Sequence, residues 1–187
     1  VYGYALYKQA WCLFNLQDFR GSLNKFVEVI EFATQHPDVR DAAALARQSR
    51  VEMVGAYGQT GAPASRAFDF FRRYSGTEDM AYTMLERLGE LFFDTGHWPE
   101  AIAVYHDLMN RRPQSDRLCE WQSRVTNAVV SSLGMRNPRA VAISNDGDTD
   151  DTDEKVVVTE FYGRPTANAE GTDQSRQGAV KVFTLTA

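Results

Sequence analysis

The sequence has little from which an active site is usually built. In 187 residues it holds two cysteines and three histidines. Cys12 and Cys119 lie far apart, offer no disulfide framework or metal-ligand spacing, and read as packed free thiols. No His-Glu-x-x-His, paired-cysteine or glycine-rich phosphate motif occurs. His97, Glu100 and His106 read as turn and helix surface. No catalytic residue, metal or cofactor is therefore expected. Long apolar runs are also missing, which excludes a membrane span in this chain. So is any excess of positive charge in the first 145 residues, where 16 basic face 16 acidic residues. That balance argues against a nucleic-acid partner. Arg72-Arg73 and Arg111-Arg112 read as solvated helix ends. The net charge of −5 resides wholly in 146–187, with 4 basic and 9 acidic residues.

What is present is core material. The chain is 43% hydrophobic and 12% aromatic, enough for one sizeable core. It begins with Val rather than Met and turns helical almost at once, so a piece of a longer protein is expected.

The plainest pattern is Leu85 to Pro113, a helical hairpin. Leu85, Leu88 and Phe92 share one face, and Ala101, Tyr105 and Leu108 another. Gly96 suits a left-handed helix stop and Pro99 a helix start. Such a hairpin cannot bury its apolar face alone, so it implies stacked neighbours.

Helical spacing also marks 4–16, 22–32, 38–57, 64–74 and 117–133. Asp38 is the expected cap of the third of these, and Ser115-Asp116 of the last. Gly134 and Asn137-Pro138 end the helical part. The expected organisation is a helical repeat domain over 1–140, an acidic linker over 141–155, and 156–187 as a disordered tail or the start of a further domain. Lys155–Tyr162 and Ala179–Thr186 have the alternation of short strands. Asp146-x-Asp148-x-Asp150 begins like a calcium loop, but Asp151 stands where glycine is needed and Val157 where Glu is needed. It reads as solvated linker.

The hairpin resembles a tetratricopeptide repeat. Leu85, Leu88, Gly89 and Phe92 match that family's first helix, Gly96 and Trp98 its turn, and Ala101, Tyr105 and Pro113 its second helix and close. Leu6, Ala10, Leu13, Phe19, Ser22, Phe26 and Ile30 repeat the order more loosely, and Val51, Val54, Gly55, Ala67 and Phe71 more loosely still. Ala67 and Ala101 stand 34 residues apart, the tetratricopeptide period, while Ser22 and Ala67 stand 45 apart. The resemblance covers about residues 4–133. It implies an all-α solenoid of antiparallel helix pairs, followed by an acidic, largely disordered tail with short strands. The opening YALYKQAWCLFNLQDFRGSLNKF and the later CEWQ also look similar to repeat proteins of the Gram-negative envelope, including gliding-motility components of the myxobacterial type. A periplasmic or outer-membrane-associated location is what that likeness implies.

In this family the first helix of each pair lines the concave binding face. The residues expected there are Tyr7, Trp11, Phe14 and Asn15 at one end, Glu52 in the middle, and Glu86, Glu90 and Asp94 at the other. An aromatic-to-acidic gradient suits a protein or peptide partner with apolar and basic residues. The Lys and Asn pairs with which some family members clamp a terminal carboxylate are missing at these places, so a chaperone C-terminus is not the expected ligand. The expected role is a protein-interaction scaffold within a larger envelope assembly. Its alternative is an architectural spacer or a regulatory segment of a larger enzyme.

Overall fold

Helix starts follow from local capping chemistry in the computed structural model, which describes residues 2–132, 134, 138–143, 155–160, 164–165, 176–177 and 180–184. The chain divides into two units after Val129. Asp18 accepts the Gly21 N–H at 2.9 Å and so starts α2 (Phe19–Gln35) ahead of Ser22. Ser22 is instead a fully buried small residue of that helix. The Thr77 hydroxyl accepts the Met80 N–H at 3.2 Å and caps α5 (Glu78–Asp94). Gly96, at φ +77°, closes α5, and Pro99 lies in the first turn of α6 (Trp98–Arg111). Ser115 accepts the Arg117 N–H at 3.2 Å just before α7 (Leu118–Ser132). The first helix, α1, covers Tyr2–Asn15. A 3₁₀ turn (Ala64–Arg66) leads into α4 (Ala67–Tyr74).

Asp38 is not a cap. The helix α3 (Ala42–Gln59) starts four residues later, behind Asp41, which sits at φ +66° and makes no side-chain capping bond.

In the first unit α1 packs on α2, α3 on α2 and α5, and α5 on α4 and α6. Short turns make the paired helices antiparallel. Equivalent positions do equivalent work. Phe26, Phe71 and Tyr105, spaced by 45 and 34 residues, are each at most 1% exposed and centre the three helix pairs. Ser22, Ala67 and Ala101 keep the same spacing and are fully buried. The longer first interval arises because α2 runs on past the length of α4, then crosses 36–41 to an α3 that begins early. Ala33, Ala42 and Ala46 make a small cluster of their own at that extension.

The expected packing of the two thiols does not hold: Cys12 and Cys119 are free but exposed. Each falls on the outward side of its helix.

The second unit contains β-structure. Strands β1 (Pro138–Ile143), β2 (Lys155–Glu160) and β5 (Val180–Thr184) form an antiparallel sheet in the order β1-β2-β5. Arg164–Pro165 (β3) pairs with Arg176–Gln177 (β4). The sequence reading has no counterpart for β1, because Asn137-Pro138 looks like a terminator. Pro is tolerated there as the first residue of an edge strand, where its missing N–H breaks no ladder. The last described helix ends at Ser132 and β1 begins at Pro138. Residues 144–154, which carry most of the expected acidic linker and of the calcium-like sequence, lie outside the described residues, as does 166–175.

Candidate functional site

The first helices α1, α3 and α5 together form one side of the helical unit, and a hollow of about 180 Å³ opens on it. Trp11 and Phe14 come from α1, Val51, Glu52 and Gly55 from α3, and Arg87 and Leu91 from α5. Trp11 is held at right angles to Phe26, 6.1 Å between ring centres, and lies 5.5 Å from Phe14. Both rings are half-buried, so each shows a pre-oriented apolar face.

Gly55 opens the hollow. A Cβ placed there would meet nothing within 4 Å. At the repeat-equivalent Gly89, a Cβ would stand 3.1 Å from both Val104 and Tyr105. Gly89 is thus a close-packing residue between α5 and α6, whereas Gly55 leaves space.

The expected site residues divide. Trp11, Phe14 and Glu52 line the hollow together. Tyr7 is corrected: it is 7% exposed, packed edge-on against Phe26 at 6.0 Å, and belongs to the core. Its side of α1 faces the paired helix α2. Asn15 and Asp94 are exposed, and Glu90 is half-buried. Glu86 is committed to α7. Its carboxylate accepts the Trp121 Nε1–H at 2.6 Å and pairs with Arg117, and its side chain is only 15% exposed. Arg117 also binds Glu120 at 3.0 Å. Arg124 lies 5.0 Å over the Phe93 ring. Behind this layer the Tyr105 hydroxyl is buried without a partner among the described residues, and desolvation pushes its pKa up to about 12.

Sequence reasoning missed Arg87 and Leu91 on the far wall. The signal was the 34-residue register: Arg87 occupies the place that Trp121 occupies one period later, and Glu52 the place of Glu86. Among the described residues neither Glu52 nor Arg87 is within ion-pair distance of an opposite charge. His97 is tied to the turn, its Nδ1 2.9 Å from the Thr95 hydroxyl oxygen, and His106 is exposed on α6. No described helix is long and apolar enough to cross a membrane.

No curated protein matches the chain. The tetratricopeptide repeat family model matches residues 4–32 and 84–115, which are α1 with most of α2, and most of α5 with α6. Repeats of this family are non-catalytic modules that generally mediate protein–protein interaction. Between the two matched segments lie α3 and α4, with Ala67 and Phe71 fully buried at the positions that Ala101 and Tyr105 hold one period later. The two matched segments together cover 61 of the 187 residues, and the helical unit that holds them is built, as tetratricopeptide repeats are, from adjacent helix pairs.

Proposed function

We propose that the helical unit captures a segment of a partner protein along the face of α1, α3 and α5. An apolar side chain of the partner enters the hollow between Trp11, Phe14, Gly55 and Leu91, and basic groups beside it meet Glu52, Glu90 and Asp94. The observation that carries this reading is the hollow itself. It is apolar and small enough for one side chain, and an acidic residue stands at its edge. Glu86 is left out of the contact set because Arg117 and Trp121 already use it. The likeness of the opening stretch to envelope repeat proteins makes an envelope assembly the setting we infer.

A peptide array of apolar-basic sequences, probed with the whole chain, tests the reading. Trp11→Ala should weaken capture about tenfold or more, an effect of about 1.4 kcal/mol. Glu52→Lys should weaken basic peptides more than neutral ones. Retention by both variants equal to that of the parent would refute groove binding, and absence of any capture by the parent would favour a spacer role.

A further inference from the structure

The arginines of this chain fall into two groups, and the difference points to a second surface. Arg111 binds Asp107 at 2.8 Å and lies 4.0 Å over the Phe68 ring. Arg112 lies 4.9 Å over Tyr82 with Asp79 at 3.9 Å, and Arg72 stands 3.9 Å from Asp69. Arg117 has Glu86 and Glu120. Arg47 and Arg87 have no carboxylate within ion-pair distance among the described residues, and neither have Arg20, Arg50, Arg66 and Arg73, which differ in standing together.

These four line two open hollows of about 600 and 590 Å³, and Arg73 borders both. Arg50 stands in the first, between α2, α3 and α4. Its Nε–H donates to the Tyr74 carbonyl at 2.8 Å, and burial, followed by the nearby Arg47 charge, holds its pKa below the usual value. Arg20 and Arg66 stand in the second, beside the apolar wall of Tyr57 and Phe70. One acid borders each hollow, Glu31 and Asp69, and the latter is drawn towards Arg72. The hollow on the α1, α3 and α5 side shares no residue with either.

We propose that Arg20, Arg50, Arg66 and Arg73 form a second recognition surface, and that its ligand is an acidic segment of a partner polypeptide. Four cations spread over two adjoining hollows exceed what one small anion needs, and they suit carboxylates spaced along an extended chain. Each guanidinium offers a planar fork of N–H donors that matches a carboxylate in two parallel hydrogen bonds. The Tyr57 and Phe70 wall gives an apolar side chain of the same segment a place to lie. The first 145 residues are charge-balanced and the net charge of −5 resides in 146–187, so no long-range attraction favours such a ligand and recognition has to be local. The surface is independent of the groove reading, which calls for a basic ligand on other residues.

Fluorescence anisotropy on the whole chain tests this. The probes are a labelled alternating Asp-Glu peptide, its Asn-Gln counterpart and a single-stranded RNA of equal length, with inorganic phosphate as competitor. The acidic peptide should bind, its amide counterpart should not, and affinity should fall as salt rises. Arg66→Glu with Arg73→Glu should weaken binding about tenfold or more, whereas Arg87→Glu in the groove should leave it unchanged. Arg66 and Arg73 are both exposed, so folding should survive, and circular dichroism checks it. The Arg66→Gln and Arg73→Gln pair provides the same comparison if the reversal unfolds the chain. Equal loss from Arg87→Glu, or no loss from either pair, would overturn the proposal. So would tighter binding of RNA through the same arginines, or full displacement by phosphate at a concentration matched to the peptide's carboxylates.

Discussion

Gly55 and Gly89 hold the same place in successive repeats, 34 residues apart, and do opposite things. Gly89 lets α6 press against α5, with Val104 and Tyr105 at 3.1 Å from where a Cβ would be. Around Gly55 the same missing Cβ leaves open space. The acids one turn earlier differ in the same way. Glu86 is bound by Trp121 and Arg117, while Glu52 has Arg87 across a hollow. One register thus yields a closed junction towards α7 and an open one between α3 and α5. A repeat's signature residues mark where packing is permitted, and its neighbours decide whether that space is filled.

The largest test of this contrast is Gly89→Leu. It forces a side chain into the α5–α6 contact and should lower unfolding free energy by about 3 kcal/mol in urea titration. A loss below about 1 kcal/mol would mean that this contact is no tighter than the one at Gly55. Next in size is Glu86→Ala. It leaves the Trp121 N–H, on a residue 3% exposed, without its acceptor and should cost about 2 kcal/mol. Glu52→Ala, with no bond to lose, should stay within about 0.5 kcal/mol, and equal costs would erase the distinction between the junctions. The smallest effect has the opposite sign. Gly55→Ala should stabilise by about 0.5–1 kcal/mol through helix propensity alone. It should also weaken any ligand anchored in the hollow, so stability and binding would move apart. A destabilised Gly55→Ala would show that the space is not free.

Much of the helical array was legible in the sequence because its signals are local. Gly96 with Pro99 and the buried series Phe26, Phe71 and Tyr105 declare turns and faces without tertiary knowledge. The failures have physical causes. Asp38 looked like a cap, but it is the second aspartate, Asp41, that precedes α3, in a left-handed conformation that aspartate tolerates. Tyr7 shares an aromatic stripe with Trp11 and Phe14, and only the packing of α1 on α2 sends it inward towards Phe26. β1 begins on a proline, which reads as an ending unless the strand is known to lie at a sheet edge. Arg87 was missed because an arginine on a helix reads as solvated until α1 and α3 are placed opposite it. Arg73 was read as one of a pair of solvated helix ends, although only its neighbour Arg72 has an acidic partner among the described residues.

The extension of α2 carries a consequence in time. Ala33, Ala42 and Ala46 form their own cluster apart from the main core, and α3 begins there behind an Asp41 without a capping bond. Alanines bury little area, so this contact separates at a fraction of the free energy needed to open Phe26 or Tyr105. Amide protons in the first turn of α3 should therefore exchange with solvent through a local opening, well before those of α5. The chain then has a slow clock in its repeats and a fast one at their widened joint.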